Sequence, residues 1–435
     1  MDINELYNLY LKKKSVTTDS RICNNGDIYF ALKGENFDGN NYAEDAINKG
    51  CSYAVVDNPE LKNKSSFIYV KNSLKTLQNL ALYHRKQFKG KLIGITGTNG
   101  KTTTKELMAT LLSQQYKTHF TQGNLNNHIG VPLTLLNTPP ETEITIIEMG
   151  ANHSGEIAHL CKIADPDIGL ITNIGKAHIE GFKSLKGVKK AKKELYDYIA
   201  DKRGEIIVNS DNNELISMIQ LKRVKVYTYG KSADASITFK NNTASPLLSF
   251  EWRKKSDKKW QKVNMQVTGL YNTENALAAA CTGSLFNIDS NSISKSLESY
   301  QPQNNRSQVI KKGSNTIIMD AYNANPTSME LALENLKKTE FEHKVVIIGE
   351  MNELGSESNY EHKKLLLKIA ELNIERGYFT GEKFTSFFPL KEKNFYHFKK
   401  TSLLKEHLIN NPLKNSLILI KGSRSNMLES LLDII

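Results

Sequence analysis

The hydrophobic residues in the middle of the chain alternate between short apolar runs and stretches with helical spacing. The apolar runs begin with KLIGIT at 91–96 and continue at 144–149, 168–174 and 205–208. Between the last two, apolar positions recur at the spacing of a helix over 186–200. Buried strands that alternate with amphipathic helices are typical of a parallel sheet covered on both faces. The pattern therefore predicts an α/β domain here.

The pattern changes on either side of this region. Residues 224–267 form short runs in which apolar and polar residues alternate, as in SITFK and KVNMQV. Such alternation predicts an antiparallel annex. Before residue 89, short strands are predicted at 27–32 and 53–56, with helical stretches between them. Glycines separate these elements.

A third region follows the polar, proline-containing stretch 300–305. Apolar strands again alternate with helical patterns, which predicts a second, small α/β unit with a parallel sheet. The predicted strands are 316–320, 344–349 and 416–420, and the predicted helices are 328–338 and 360–371. At roughly 100–200 residues per domain, a chain of this length is expected to have more than one domain. We place three, over residues 1–88, 89–301 and 302–435.

The composition excludes several classes of protein. Hydrophobic residues make up 39% and charged residues 24% of the chain, which indicates a folded core rather than disorder. No run approaches the ~18 apolar residues of a membrane span. The start, MDINELYNLYLKKK, is charged where a signal peptide needs an apolar run, and the four cysteines form no C-x-x-C pair. We therefore expect a cytoplasmic protein without stable membrane insertion, disulfides or a zinc site.

The net charge leaves the type of partner open. Lys and Arg total 58 and Asp and Glu total 46, so the formal charge is +12. A surplus of this size is compatible with nucleic acid, an acidic membrane surface or anionic small substrates. No zinc-finger or RNP-type pattern favours nucleic acid, so we expect no nucleic-acid partner.

A glycine-rich turn, GITGTNGKTTT at 94–104, follows the first central strand and precedes a helical pattern. Glycines let backbone N–H groups close around phosphate oxygens, and a helix N-terminus adds roughly half a positive charge. The match to G-x-x-x-x-G-K-[ST] is imperfect, because Ile95 stands where the first glycine belongs. Lys101 is expected to neutralise the β- and γ-phosphates, and the Thr102 hydroxyl to reach Mg²⁺. The loop predicts binding of a nucleoside triphosphate through Gly97, Thr98, Asn99, Gly100, Lys101, Thr102 and Thr103.

Two candidate metal ligands follow neighbouring strands. Glu148 ends the run ITIIEMG, and His178 follows the next strand in TNIGKAHIEGF. Ligands bind at the carboxyl ends of parallel strands, and phosphoryl transfer needs metal ligands besides a hydroxyl. Either residue alone is equally compatible with a structural role, but two beside a phosphate loop favour a metal site.

Several longer runs resemble the Mur ligase family of peptidoglycan synthesis, which is marked by a GT-x-GKT loop. The resemblance spans essentially the whole chain, and the order and spacing of the runs make it specific. The runs are TDSRICNNGDIYFALKGENFDG (18–39), TQGNLNNHIGVPLTLL (121–136), IIEMGANHSGEI (146–157), TNIGKAHIEGF (172–182), MDAYNANPTSM (319–329), GEMNELG (349–355) and KGSRSNMLE (421–429).

The resemblance implies an α/β protein of three domains. These are a small α/β uridine-nucleotide domain, a central P-loop ATPase domain with a parallel sheet and the antiparallel annex, and a C-terminal Rossmann-like α/β domain. It also implies an ATP- and Mg²⁺-dependent, monomeric enzyme that adds D-Ala-D-Ala to UDP-N-acetylmuramoyl-tripeptide. ATP would phosphorylate the tripeptide carboxylate, and the dipeptide amine would displace phosphate from the acyl phosphate.

Site residues are carried over by the same resemblance. Thr102 and Glu148 would bind a first Mg²⁺ and His178 a second, and Lys192 matches a position where related ligases carry a carbamoylated, metal-binding lysine. Lys101, Glu148, His178 and Lys192 would thus form the catalytic set. The other expected ATP contacts are Asn272, Asn275 in the adenine region, Arg306 at the phosphates and Asp320 at the ribose hydroxyls. The expected uridine or diphosphate contacts are Ser20, Arg21, Lys33 and Gly34. Asn323, Asn325 and Arg424 are expected to contact the closed site or the dipeptide carboxylate. Tyr271 and Asn40 stand where the family usually has histidines.

Other functions predict different features. Ligases that add the third amino acid carry a DNPR run in the last domain, whereas this chain has only DNPE at 57–60, in the first. Folylpolyglutamate synthase shares the central and last domains but lacks the uridine-nucleotide domain. A non-catalytic regulator predicts loss of the metal ligands, which are present. A nucleic-acid ATPase predicts basic residues interleaved with aromatic ones and steeply salt-dependent binding.

Overall fold

The N-terminal domain is built on a small parallel sheet. The computed structural model describes residues 1–13, 15–177, 179–219, 223–372, 374–388 and 394–435, with only the backbone of residue 179. The first elements are α1 (Ile3–Lys13), β1 (Val16–Thr17), β2 (Ile28–Phe30), α2 (Ala43–Asn48), β3 (Tyr53–Val56), β4 (Phe67–Tyr69) and α3 (Ser73–Arg85), with 3₁₀ turns at Gly39–Tyr42 and Pro59–Leu61. The strands pair in the order β1-β2-β3-β4.

The two faces of this sheet are buried differently. Ile28 and Phe30 join a core shared with the central domain, whereas Tyr29 and Ala31 pack in a small local cluster. This is the alternation expected of a strand covered on both faces. The shared core means that α1 and α3 fix the domain against its neighbour.

The central domain contains the parallel sheet that the apolar runs predict. Its elements are β5 (Lys91–Thr96), α4 (Lys101–Leu112), β6 (Thr118–Phe120), α5 (Gly130–Leu136), β7 (Ile144–Glu148), α6 (Glu156–Ala164), β8 (Ile168–Ile171), α7 (Ile179–Phe182), α8 (Leu185–Asp201), β9 (Glu205–Asn209), α9 (Asn213–Ile219), β10 (Lys225–Gly230), β11 (Ile237–Ala244), β12 (Leu247–Lys254), β13 (Gln261–Thr268), α10 (Asn272–Leu285) and α11 (Ser290–Ser299). Strands β6-β7-β5-β8-β9-β10 pair in parallel. Every residue of β7 is buried, because helices cover both faces.

The predicted annex is present, with one difference. Strands β11, β12 and β13 form an antiparallel meander, but β10 pairs in parallel with both β9 and β11. The alternating pattern does not distinguish these directions, because it reports only which face of a strand is buried.

The C-terminal domain continues the same sheet. Its elements are β14 (Gln308–Lys312), β15 (Asn315–Asp320), α12 (Pro326–Lys338), β16 (His343–Gly349), α13 (Ser358–Ala370), β17 (Arg376–Thr380), β18 (Phe395–Phe398), α14 (Thr401–Asn410) and β19 (Ser416–Lys421), with 3₁₀ turns at Gly355–Glu357, Glu382–Phe387, Arg424–Asn426 and Leu428–Leu431. Strands β15-β19-β16-β17-β18 are parallel, and β14 is antiparallel to β15. A single pairing, Val267 with Gln308, joins the two large domains into one 15-stranded sheet.

Polar contacts hold the C-terminal domain against the phosphate loop and the segment after β8. The Asn325 Nδ2 group donates to Asn99 Oδ1 at 2.7 Å, and the Lys176 backbone N–H donates to Thr327 Oγ1 at 3.1 Å. Lys176 also forms a 3.0 Å ion pair with Glu361, which is buried on α13. These contacts close the domains around the space described next. In the part of the chain that the structure describes, no helix is long and apolar enough to cross a membrane.

Candidate active site

A cavity of about 1300 Å³ lies where the three domains meet. The N-terminal domain contributes α3 residues such as Gln78, the central domain contributes the phosphate loop, and the C-terminal domain contributes the end of β15 and α12. This volume exceeds the ~300–1000 Å³ of a typical single-ligand pocket. The cavity therefore has room for more than one substrate.

The phosphate loop runs from β5 into α4 and needs glycine at two positions. Gly97 has φ 147° and Gly100 has φ 78°, both in a region that favours glycine. A Cβ atom at Gly97 would collide with the Thr172 side chain, and one at Gly100 would collide with the Asn275 amide. Backbone conformation and close packing together explain both glycines of the GTNGKT run.

Lys101, the first residue of α4, provides the positive charge of the loop. Its Nζ donates to the carbonyl oxygens of Gly97 and Thr98 at 2.7 and 3.1 Å, so the side chain lies along the loop. Burial lowers the pKa of Lys101, while the neighbouring Glu148 carboxylate opposes that shift. The helix N-terminus and this ammonium group together favour an anion at the loop.

Glu148 lies beside the start of α4, at the carboxyl end of β7. Its Oε2 accepts a hydrogen bond from Thr102 Oγ1 and its Oε1 accepts one from Asn126 Nδ2, both at 2.9 Å. The carboxylate is only 3% exposed. The sequence pairs Thr102 with Glu148, and the structure places these two side chains in contact.

The donor set fits Mg²⁺. A carboxylate beside a Thr hydroxyl in a phosphate loop supplies hard oxygen ligands, and Mg²⁺ commonly completes its shell with water and phosphate oxygens. Among the described residues, no group of three or more His, Cys, Asp or Glu side chains is placed to hold a metal ion. His178, the second predicted ligand, lies outside the described residues.

Lys192 is buried on α8 rather than placed on a solvated helix face. It is 2% exposed, and its Nζ lies 5.5 Å from the centroid of the Phe182 ring. Burial and the nearby Lys101 charge lower the pKa of Lys192 to about 7. A substantial fraction of this amine is therefore neutral, and nucleophilic, near neutral pH.

Two amides of α10 support the phosphate loop. Asn275 accepts a hydrogen bond from Thr104 Oγ1 at 3.1 Å and donates to Asn272 Oδ1 at 2.8 Å. Asn272 in turn donates to the carbonyl oxygen of Thr268 at 2.7 Å. Both residues line the cavity, so their predicted contacts with ATP stay predictions alongside this structural role.

Asp320 ends β15 and faces the cavity beside a buried lysine. Its Oδ1 accepts from the Ser307 backbone N–H at 3.3 Å, and its Oδ2 accepts from Lys421 Nζ. Lys421 is 2% exposed and pairs with Asp320 in the parallel register of β15 and β19. The pair fixes the orientation of the carboxylate that is predicted to bind the ribose.

Two arginines contact one tyrosine ring at the C-terminal side of the cavity. The guanidinium carbon of Arg306 lies 3.6 Å from the centroid of the Tyr322 ring, and that of Arg424 lies 5.4 Å from it. The Nε atom of Arg306 is buried and has no hydrogen-bond partner in the described structure. An unpaired buried donor is costly, so an anion in the cavity is a favourable partner for Arg306.

Asn323 and Asn325 line the cavity at the start of α12. Asn325 caps the helix by accepting from the Ser328 backbone N–H and also donates to Asn99 of the phosphate loop. Asn325 therefore links the phosphate loop to the C-terminal domain. Asn323 Oδ1 accepts from the Ala324 backbone N–H at 2.9 Å.

Family models match each part of the chain. The Mur ligase family, catalytic domain, matches residues 13–87, the Mur ligase middle domain matches 95–283, and the Mur ligase, glutamate ligase domain matches 305–424. A curated relative from Bacillus subtilis, UDP-N-acetylmuramoyl-tripeptide--D-alanyl-D-alanine ligase, is 33% identical over 431 residues, which is 96% of this chain and 92% of the relative. The chain belongs to the Mur ligase family.

Another relative and two solved structures agree with this assignment. The Escherichia coli protein of the same name is 32% identical over 98% of this Mur ligase and 94% of its own length. MurF from Acinetobacter baumannii superposes with a TM-score of 0.87 at 32% identity, covering 97% of this chain and 93% of that one. MurF ligase from Thermotoga maritima in complex with ADP gives a TM-score of 0.85 at 26% identity, covering 98% and 97%.

The predicted uridine contacts of this Mur ligase lie away from the cavity walls. Ser20, Arg21, Lys33 and Gly34 are in the N-terminal domain, and none of them is among the cavity-lining residues. Arg21 forms an exposed ion pair with Asp19, and Lys33 lies 3.5 Å from Asp57. The structure therefore does not bring these four residues together with the phosphate loop.

Asn40, which replaces a usual histidine, is part of the domain framework. Its Nδ2 donates to Asp38 and Asp57, and its Oδ1 accepts the backbone N–H groups of Asp57 and Asn58. The amide is buried, and these four hydrogen bonds use its capacity fully. The departure from histidine is thus explained by a structural role.

Three site residues were not predicted from the sequence. Lys421 pairs with Asp320, Tyr322 contacts both arginines, and Asn126 donates to Glu148. All three stand in the runs that resemble the Mur ligases, so the runs themselves were the available signal. Their roles depend on contacts between distant segments, which neither spacing nor periodicity reveals.

Proposed function

We propose that this Mur ligase joins D-Ala-D-Ala to UDP-N-acetylmuramoyl-tripeptide with cleavage of ATP to ADP and phosphate. The observation that carries the proposal is the single cavity in which the phosphate loop, the Thr102–Glu148 pair and the Asp320–Lys421 pair face one another across domains. The names and near-complete coverage of the relatives support the same choice of substrates.

The reaction has two steps. An oxygen of the tripeptide carboxylate attacks the γ-phosphorus of ATP, and the bond to the β-phosphate oxygen breaks to release ADP. The dipeptide amine then attacks the carbonyl carbon of the acyl phosphate, and inorganic phosphate leaves as the amide forms and the amine loses a proton. Phosphorylation is needed because a free carboxylate is a poor electrophile.

The protein's task is to hold anions together and stabilise the charge that develops between them. Lys101 and the N-terminus of α4 would hold the β- and γ-phosphates, and Arg306 would meet phosphate oxygens from the opposite domain. Asp320 would accept the ribose hydroxyls, and Arg424 suits the dipeptide carboxylate because a guanidinium binds carboxylate in a bidentate manner. Thr102 and Glu148, with His178 and a carbamoylated Lys192, would hold Mg²⁺, which supplies further neutralisation of phosphate charge.

The choice of amine tests this function. We expect ADP release in the presence of UDP-muramoyl-tripeptide and D-Ala-D-Ala, and only background release with single amino acids. The measurement is a coupled ADP assay with each amine in turn, with omission of the tripeptide as control. Turnover only with a diamino acid would instead identify a ligase that adds the third residue.

The extent of Lys192 carbamoylation is expected to decrease as the pH is lowered. The neutral amine attacks the carbon of CO₂, and one proton is released as the carbamate forms. Since burial lowers the pKa of Lys192 to about 7, the reactive fraction falls as pH drops below that value. Activity of degassed enzyme should therefore recover on addition of bicarbonate, and labelled bicarbonate should label the protein.

A neighbouring lysine provides the control for this modification. Lys192→Met is expected to lower activity about a hundredfold and abolish labelling. Lys193→Met should change neither, because Lys193 is partly exposed and pairs with Asp197 on the helix surface. Equal loss in both variants, or no label on the wild-type protein, would contradict a carbamate at Lys192.

The proposal includes a monomeric enzyme in the cytoplasm with no nucleic-acid partner. All four cysteines are free, and three of them are buried. Free thiols are compatible with a reducing compartment. The surplus of positive charge suits two anionic substrates, ATP and the UDP-linked tripeptide, and the carboxylate of the dipeptide, as well as a basic surface.

A further inference from the structure

Lys105 is a buried lysine on α4 that the proposed chemistry does not use. It lies one turn beyond Lys101, is only 2% exposed, and is not among the described residues that line the cavity. Burying an ammonium group is costly unless neighbouring groups compensate the charge. The contacts of Lys105 therefore indicate what the fold gains from a cation at this position.

Lys105 connects the start of α4 to the end of β6. Its Nζ donates to the carbonyl oxygen of Thr121 at 2.8 Å and lies 5.6 Å from the centroid of the Phe120 ring. Glu106 Oε1 is 3.8 Å from the same nitrogen. Burial lowers the pKa of Lys105, and the Glu148 and Glu106 carboxylates oppose that shift. The ammonium group thus has a backbone acceptor and interacts with two carboxylates.

The segment that follows β6 holds Glu148 by both its backbone and its carboxylate. Thr121 Oγ1 accepts the backbone N–H of Glu148 at 3.0 Å. Asn126 Nδ2 donates to Glu148 Oε1 at 2.9 Å, and the Asn126 carbonyl oxygen accepts the backbone N–H of Gly150 at 2.8 Å. The residue whose carbonyl oxygen Lys105 holds is therefore the same residue that fixes the backbone of Glu148.

This arrangement orients the Glu148 carboxylate toward the phosphate loop. Asn126 occupies Oε1, and Oε2 accepts from the Thr102 hydroxyl at 2.9 Å. Groups that orient a metal ligand commonly change metal affinity by about 10- to 100-fold when they are removed. A displacement of Thr121 would be transmitted to Glu148 through the hydrogen bond between them.

We propose that Lys105 is a positioning residue for the metal ligand Glu148. Through the Thr121 carbonyl oxygen, it keeps the segment 121–126 in the place where that segment orients the carboxylate. This inference rests on the proposed function only in taking Thr102 and Glu148 as Mg²⁺ ligands beside a bound nucleotide. The charge of Lys105 by itself repels Mg²⁺, so removal of the charge alone would strengthen metal binding. Weaker metal binding without Lys105 therefore reports its positioning role.

Metal-dependent nucleotide binding tests the proposal without the peptide substrates. The non-hydrolysable analogue β,γ-methylene-ATP is titrated by calorimetry at increasing Mg²⁺ concentrations. Lys105→Met should raise the Mg²⁺ concentration for half-maximal enhancement of binding about tenfold, with metal-free affinity for the analogue within about twofold of wild type. Glu148→Gln should raise it as well. The double variant should need no more Mg²⁺ than Glu148→Gln alone, because Lys105 acts through this carboxylate.

Lys254→Met is the matched control. Lys254 Nζ also donates to a backbone carbonyl oxygen, that of Ile288 at 2.6 Å, but Lys254 lies at the end of β12 and is not among the described cavity residues. This variant should leave the Mg²⁺ curve unchanged. Lys105→Gln is uncharged and one atom shorter, so it should shift the curve in the same direction as Lys105→Met. It serves as the test variant if thermal unfolding shows that Lys105→Met does not fold.

Two results would overturn the proposal. One is a folded Lys105→Met or Lys105→Gln variant whose Mg²⁺ curve matches wild type or shifts to lower concentration. The other is a double variant in which the shifts of Lys105→Met and Glu148→Gln multiply, because independent effects would exclude action through Glu148. Wild-type binding without any Mg²⁺ dependence would contradict the nucleotide site itself and this inference with it, whereas a wrong choice of amine would leave all of these titrations unchanged.

Discussion

Lys101→Ala is expected to lower kcat for ADP release about a thousandfold. Lys101 stands at the N-terminus of α4, with its ammonium group on the carbonyl oxygens of Gly97 and Thr98. Alanine keeps the helix but removes the only cation that the phosphate loop itself carries in GTNGKT. Charge that develops on the transferring phosphoryl group then loses its nearest compensation. The measurement is single-turnover and steady-state ADP release with saturating substrates.

The control for this variant is Lys399→Ala, on an exposed residue before α14. It removes the same charge without touching the cavity and should leave kcat unchanged. Thermal unfolding of both variants should stay close to wild type, since helix propensity favours alanine in α4 and Lys399 is exposed outside a helix. Near-normal kcat in Lys101→Ala would refute the phosphate-loop assignment.

Glu148→Gln is expected to lower kcat/KM about a hundredfold and to shift the Mg²⁺ dependence to higher concentration. Glutamine keeps the shape and can still accept from Thr102, but it removes the charge that makes the oxygen a good ligand for Mg²⁺. The expected signature is partial recovery of activity at high Mg²⁺. Activity is measured across a Mg²⁺ titration at fixed ATP.

Two comparisons make the Glu148 result specific. Glu141→Gln changes an exposed carboxylate just before β7 and should leave the Mg²⁺ curve unchanged. Nucleotide binding without metal should change little in Glu148→Gln, because the carboxylate acts through the ion. A Mg²⁺ curve identical to wild type would contradict a metal role for Glu148.

The parallel sheet and its phosphate loop could be predicted because they depend on local pattern. The apolar run at 144–149 becomes β7, which ends at Glu148, and the helical spacing at 186–200 becomes α8. Helix α8 is buried along one stripe, so its sequence carries a helical period, whereas β7 is buried on both faces, so its sequence is a continuous apolar run. The phosphate loop is recognisable because its backbone accommodates only glycine at positions 97 and 100.

At the end of β8, the apolar pattern of the sequence does not predict where the strand stops. The sequence predicts a strand over 168–174, but β8 ends at Ile171. Thr172 Oγ1 donates to the Asn99 carbonyl oxygen, and Asn173 Oδ1 accepts the Asn99 backbone N–H. The chain leaves the sheet because these side chains hold the phosphate loop. Apolar character alone does not report such a competing interaction.

The cross-domain part of the site could not be predicted from spacing. Asp320 was identified, but its partner Lys421 lies on β19, and only the register of β15 with β19 brings the two together. Likewise, the contact of Asn325 with Asn99 requires the C-terminal domain to sit over the loop. Strands β14, β17 and β18 are not among the predicted strands, because runs of four or five residues are too short to show a clear period in sequence.

The most direct test of the acyl-phosphate mechanism follows the oxygen atoms of the tripeptide carboxylate. The tripeptide is prepared with heavy oxygen in its terminal carboxylate and incubated with enzyme, ATP, Mg²⁺ and D-Ala-D-Ala, and the products are analysed by mass spectrometry. We expect one labelled oxygen in the released phosphate and one retained in the new amide of the UDP-muramoyl-pentapeptide. Unlabelled phosphate, or ADP formed without pentapeptide, would contradict the account of this Mur ligase as an acyl-phosphate-forming D-Ala-D-Ala ligase.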